Sequence, residues 1–212
     1  MKNAVINKLL MVIEKNDNSY NNIHIEKISY GLEAIYLLLG KTILFVTVSF
    51  FLNLLKEFLL LTIIFSGIRL YAFGLHAPNS RICLFLSGSV FIFTSYLASV
   101  LVINLFIKIL IFIICFIIII LYAPADTHKR PLINKKRRKK YKLLSSLTAI
   151  FYGLLSFFIS NNLVSNCLIF SLVIESLLII PISYRLLNLP YNNYKSYHQK
   201  NDDLIKNEKG GI

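Results

Sequence analysis

The feature that most limits what this chain can become is an apolar run from Leu84 to Tyr122, LFLSGSVFIFTSYLASVLVINLFIKILIFIICFIIIILY, in which Lys108 is the only charged residue. A helix needs about 20 mostly apolar residues to cross a bilayer, so this run is long enough for two crossings. Helices satisfy their own backbone groups in lipid, and no strand is needed. The whole chain is 56% hydrophobic and 16% charged, against about 25% charged in a soluble domain. The sequence therefore predicts an all-α, polytopic membrane helix bundle. A cleaved secretory signal is not expected, because residues 1–27 are polar and lack a short apolar region followed by a small-residue cleavage site.

The organisation divides into three parts. Residues 1–27 mix Lys2, Lys8, Lys15 and Lys27 with Glu14, Asp17 and Glu26. Val5, Leu9, Val12 and Ile13 recur at near-helical spacing, which predicts an amphipathic helix lying on the membrane surface. Residues 28–184 hold six expected spans: Leu32 to Leu55, interrupted at Gly40-Lys41; a short Phe58 to Tyr71; Arg81 to Val100; Asn104 to Tyr122; Leu143 to Ser160; and Leu163 to Tyr184. Residues 185–212 form a polar tail. No internal repeat is apparent.

Charge orients the bundle. THKRPLINKKRRKKYK is the most basic loop and is expected on the cytoplasmic side. Six spans then place both termini and the loop from Arg69 to Arg81 on that side as well. All but Lys41, Lys56 and Lys108 of the 23 Lys and Arg residues fall there. The net charge of +13 thus reflects topology, and no nucleic-acid partner is expected. The basic run Lys135, Lys136, Arg137, Arg138, Lys139 and Lys140 is suited to anionic lipid and to steering an acidic partner.

GLHAPNSRIC, Gly74 to Cys83, places an imidazole and a thiol at this face. On one continuous helix the seven-residue spacing would separate His76 and Cys83 by about 10 Å along the axis. Cooperation needs a break, and the sequence has one. Pro78 disfavours helix at Ala77, while Asn79 and Ser80 suit a turn and an N-cap. With Ser80 as cap, Cys83 falls in the first turn of the next span. The helix N-terminus, Arg81 and a protonated His76 would favour its thiolate, and free backbone N–H groups there suit an oxyanion. His76 would serve as base toward Cys83 and as acid toward a leaving amine. Cys115 and Cys167 sit within spans and read as small apolar residues. Three distant cysteines make no disulfide framework. No metal spacing appears, and no cofactor is expected. His24, His128 and His198 read as solvated.

GLHAPNSRIC, followed by YAPADTHKRPL and the basic run, resembles the accessory gene regulator B (AgrB) family of bacterial quorum-sensing membrane peptidases. The likeness extends from about Glu26 to Tyr184. It implies a homodimeric, multi-pass protein of the bacterial cell membrane. Its partner would be an AgrD-like precursor peptide, cut on the cytoplasmic side to remove an acidic C-terminal tail. It implies His76 and Cys83 as the catalytic pair, with the cysteine holding the N-terminal portion as a thioester. A precursor thiol or hydroxyl then attacks, closing a thiolactone or lactone. Arg69 and Gly74 match positions tied to activity.

Ser80, Arg81 and Asp126 are further candidates for oxyanion or substrate binding. Asp126 is expected to cap its loop or pair with Arg69 or Arg81. Glu33, Lys41, Lys108 and Glu175 are charges in or near spans, which usually face the interior or pair. Glu33 and Lys41 lie two turns apart, so each needs another partner. The rival expectation is a peptide exporter or transporter without proteolysis. That would place charge near the bilayer midplane, whereas the polar cluster here gathers at one face.

Overall fold

The computed structural model describes residues 6, 8, 10, 11, 22–75, 79–127 and 132–194. These residues form helices α1 (Asn22–Phe51), α2 (Leu55–Ala72), α3 (Ser80–Val100), α4 (Leu105–Tyr122), α5 (Lys135–Phe158), α6 (Asn162–Ile179) and α7 (Pro181–Leu186). The all-α expectation holds. The chain divides into two units, Met1–Asn53 and Leu54–Ile212.

In the first unit α1 runs without interruption through Gly40 and Lys41, contrary to the expected break. One glycine costs a helix only about 1 kcal/mol. Most of the expected surface helix lies outside the described residues; Ile6, Lys8, Leu10 and Met11 are helical. Among the described residues, four helices are long and apolar enough to cross a membrane: Arg81–Val100, Leu105–Tyr122, Lys135–Phe158 and Asn162–Ile179. Ile35–Phe51 is a shorter apolar stretch. The helix α2 has 18 residues, longer than the expected second span, and it carries Lys56, Glu57 and Arg69.

The helix α6 is the centre of the second unit and packs against α2, α3, α4, α5 and α7. Eleven of its 18 residues are buried. Small residues permit that closeness. The buried face of α5 is Ser145, Ala149, Gly153 and Ser156, a stripe on which neighbouring backbones approach closely. A Cβ at Gly153 would lie 2.3 Å from the Phe112 ring of α4.

Polar contacts define two ends. At one, Asn166 of α6 donates to the carbonyls of Ala98 (3.1 Å) and Leu101 (2.7 Å). There Lys108 Nζ of α4 donates to Ser165 Oγ (2.7 Å), which donates to the Ser156 carbonyl of α5 (2.6 Å). At the opposite end the segments after α2 and α4 meet. Gly74 N–H donates to Ala125 O (2.8 Å), and Ala125 N–H donates to Ala72 O (2.9 Å). The segment beginning at Gly74 and the basic segment therefore share one end of the bundle, as expected.

Several boundaries differ from expectation, among them the start of α1, at Asn22 instead of Leu32, and two in the second half of the chain. Lys135–Lys140 belong to α5 instead of a loop. Asn134 caps the helix, its side chain accepting from Lys136 N–H (2.9 Å) and Arg137 N–H (3.2 Å), and Lys and Arg are good helix formers. The last span ends at Ile179, because Pro181 opens the separate helix α7, where its missing N–H costs nothing.

Candidate active site

The helix α2 ends in a sharp reversal. Phe73 has φ +62° and Gly74 φ +107°, a region that residues bearing a Cβ rarely adopt. Glycine is required at 74 for a second reason. A Cβ there would lie 2.3 Å from Arg69 Nη1 and 3.1 Å from the Leu178 carbonyl. The reversal is held on both sides. Besides the Ala125 bond, Leu75 N–H donates to Leu178 O at the end of α6 (3.1 Å).

Arg69 fastens this segment from within. Its Nη2 donates to the carbonyls of Gly74 (3.2 Å) and Leu75 (2.7 Å). Its Nη1 lies 3.4 Å from both carboxylate oxygens of Glu175, whose side chain is fully buried. One guanidinium thus ties α2, α6 and the chain immediately before His76. His76, Ala77 and Pro78 lie outside the described residues, and so does the geometry of the His76–Cys83 pair. Glu175, noted in the sequence only as a charge in a span, proves to be the anchor of Arg69. A lone acid in an apolar helix signals a cationic partner, and Arg69 sits at matching depth, three residues from its helix end against four.

The helix α3 begins one residue earlier than expected. Asn79, not Ser80, is the N-cap residue, with extended backbone and no side-chain capping bond. Ser80 is the first helical residue because Asn79 O already accepts the N–H of Cys83 (2.9 Å). Cys83 still lies in the first turn, half-buried, with its Sγ 3.8 Å from Ser87 Oγ. Its own N–H is taken by the helix. The N–H groups of Ser80, Arg81 and Ile82 precede the first intrahelical bond and are the ones suited to an oxyanion. Arg81 is exposed. Cys115 and Cys167 are buried, in keeping with a packing role.

Asp126 pairs with neither Arg69 nor Arg81. It is buried, and its Oδ2 accepts from Leu132 N–H (3.3 Å) and Tyr194 N–H (2.9 Å) and lies 3.9 Å from Arg138 Nη1. Its carbonyl accepts from Tyr184 Oη (3.2 Å) and Asn193 Nδ2 (3.4 Å). Asp126 therefore fastens the C-terminal segment onto the basic end. The reason is that its carboxylate is used up by one backbone donor of its own loop, Leu132, and one of the C-terminal segment, Tyr194. Burial pushes the Tyr184 phenol above its ordinary range, with the Arg69 charge opposing. Of the basic run, Lys135, Lys136, Arg137, Lys139 and Lys140 are exposed, while Arg138 is half-buried with its guanidinium 3.6 Å from the Tyr194 ring centre.

These features define a class: an all-helical, multi-pass membrane protein with a fastened polar loop and a helix-start cysteine. The family described as Accessory gene regulator B matches residues 6–179. A Clostridium acetobutylicum protein named AgrB-like is 31% identical over 201 residues, covering 93% of this chain and 96% of that one. An AgrB-like protein of Listeria welshimeri is 28% identical, covering 81% and 84%. Accessory gene regulator protein B of Staphylococcus aureus is 29% identical, covering 79% and 87%. No solved structure matches. The chain belongs to the accessory gene regulator B family, which is involved in processing quorum-sensing autoinducers.

Proposed function

We propose that this protein is a membrane cysteine endopeptidase that cuts and cyclises an AgrD-like precursor peptide at the cytoplasmic face. The observation that carries the reading is Cys83 in the first turn of α3, at the end of the bundle where Arg69 holds the chain leading to His76. A helix start favours negative charge on sulfur, and fixing the two residues just before His76 reduces the entropy of bringing a base to it.

His76 takes the Cys83 proton, and the sulfur attacks the scissile carbonyl. The tetrahedral oxyanion forms beside the N–H groups of Ser80 to Ile82. Collapse breaks the C–N bond, and His76 returns its proton to the departing amine of the acidic tail. The thioester on Cys83 is then attacked by a thiol or hydroxyl of the bound peptide. That closes the ring and restores the Cys83 thiol, with the proton again passing through His76. Exchanging one thioester for another is nearly balanced in free energy, so the acyl intermediate must be kept from water. The exposed cations of the first turns of α5 steer the acidic tail. The working unit is a homodimer in a bacterial cell membrane, with both termini cytoplasmic.

The test is protein in nanodiscs with a synthetic precursor, read by mass spectrometry. The expected result is a peptide adduct on Cys83 that accumulates when the precursor lacks its internal nucleophile, and no cleavage by Cys83→Ala or His76→Ala. Unchanged cleavage by Cys83→Ala overturns the reading.

A further inference from the structure

A cleft of about 380 Å³ opens at the basic end, lined by Leu121, Tyr122, Ala123 and Pro124 at the end of α4, by Arg138 and Lys142 of α5, and by Tyr191, Asn192 and Tyr194. Among the described residues its lining holds two cations one helical turn apart and no acid. The carboxylate oxygen paired with Arg138, Oδ2 of Asp126 at 3.9 Å, already accepts two backbone N–H groups. Arg138 Nη1 is buried without a hydrogen-bond acceptor, a costly state for a charged donor. Stacking on Tyr194 holds the guanidinium in place. The cleft thus offers fixed positive charge to an anionic oxygen: Lys142, and an arginine whose Nη1 lies 3.9 Å from Asp126 Oδ2 without a hydrogen bond.

Depth and surroundings identify the source of that oxygen. The cleft lies where α5 passes from Lys135–Lys142 to the apolar run that starts at Leu143, and three of its walls are tyrosines, residues that gather at membrane–water interfaces. From Leu121 an apolar stripe runs along α4 through Ile117, Ile114 and Leu110, at helical spacing. Each of the four has more than half of its surface exposed. A free phosphate or an acidic peptide has no use for such a stripe, whereas an acyl chain does.

We propose that this cleft binds the phosphate of one anionic phospholipid, with an acyl chain lying along the Leu110–Leu121 stripe. It is a discrete site, distinct from diffuse attraction by the exposed lysines, and it does not depend on the peptidase reading. Two neighbouring cations select a headgroup without an ammonium.

Native mass spectrometry of the whole protein, released from detergent with dioctanoyl phosphatidylglycerol, tests it. Dioctanoyl phosphatidylcholine, glycerol 1-phosphate and a glutamate-rich decapeptide are the comparison probes. One phosphatidylglycerol is expected to be retained saturably, at least tenfold more tightly than phosphatidylcholine. Lys142→Gln, at an exposed position, and Ile117→Ser, on the outward stripe, are each expected to weaken it severalfold. Arg138→Gln is expected to abolish it, and since Arg138 also holds Tyr194, the first two variants keep the test independent of folding. Equal retention of phosphatidylglycerol by Lys142→Gln and Ile117→Ser overturns the site. So does glycerol 1-phosphate binding as tightly as the lipid, which would mark a soluble phosphate site, or displacement of the lipid by the decapeptide at equal concentration.

Discussion

Removing the Glu175 carboxylate should unfasten the loop that leads to His76. In Glu175→Ala the Arg69 guanidinium loses both carboxylate oxygens at 3.4 Å while its side chain keeps only 19% exposure. Leaving one member of a buried ion pair uncompensated costs about 3–5 kcal/mol, a large share of the ~5–15 kcal/mol that holds a domain together. Arg69 can relieve the cost by turning toward water, but it then releases the carbonyls of Gly74 and Leu75. A reordering penalty of about 3 kcal/mol carried into acylation slows that step roughly 100-fold. Glu175→Asp keeps the charge and should lose least. The informative variant is Arg69→Met with Glu175→Met. It removes both charges together, which is often neutral for stability, yet it removes the hold on the loop. Thermal unfolding in nanodiscs should place it near the parent, while single-turnover adduct formation on Cys83 stays as slow as in Glu175→Ala. Adduct formation at the parent rate in the double variant would refute a positioning role for the pair, and parent stability in Glu175→Ala would refute the buried-charge reasoning.

Gly74→Ala combines a disfavoured φ with a Cβ 2.3 Å from Arg69 Nη1; a loss of about 1–3 kcal/mol is expected, with slowed adduct formation, read by the same two assays. Gly153→Val drives a branched side chain into the Phe112 ring and should lower stability by about 1–3 kcal/mol, seen as a lower unfolding temperature. Tyr184→Phe removes the bond to the Asp126 carbonyl and should cost about 1 kcal/mol. Because the folded Tyr184 phenol titrates above its ordinary value, its contribution is complete below about pH 10 and is lost as pH rises from there through the folded value. Unfolding measured from pH 8 to 11.5 should therefore show a shallower alkaline decline in the Tyr184→Phe variant than in the parent.

Much of the fold was readable because lipid imposes simple length and polarity rules. The limits of α3 and α4 follow from where the apolar runs stop, and Asn104 caps α4 where the sequence turns polar. Composition misled where one helix changes character along its length. Lys135–Lys140 looked like a loop since they are hydrophilic, but hydrophilic residues continue an apolar helix readily once Asn134 caps its start. The pairings around the candidate site were not legible in the sequence. Arg69 and Glu175 are 106 positions apart, and nothing local joins them; depth along their helices would have. Asp126 accepts a backbone N–H of its own loop, one of its two expected roles, but the arginine beside it is Arg138 instead of Arg69 or Arg81, because its other partners depend on how the segment after α7 folds back to bring Tyr194 to it.

The distribution of polar contacts explains how a chain so rich in apolar residues holds Gly74 and Leu75, just before His76, in place. Between its ends the bundle is held by small residues such as Ala149 and Gly153, contacts that set spacing but tolerate sliding. A few directional bonds lie between the ends, Tyr152 Oη to Ile64 O (2.8 Å) and Ser176 Oγ to Cys115 O (3.4 Å), and others gather at the ends: Lys108 with Ser165 and Asn166 with α3 at one, and Arg69 with Glu175 at the other. A buried ionic group in an apolar surround is a better device for register than for stability. Here the register it sets is that of α2 against α6, and the Gly74–Leu75 carbonyls are read off the same guanidinium. A shift of either helix by one turn, about 5.4 Å, would part the pair and release the loop together with it. The order of the segment before His76 is therefore coupled to the packing of two helices whose other contacts are almost wholly apolar.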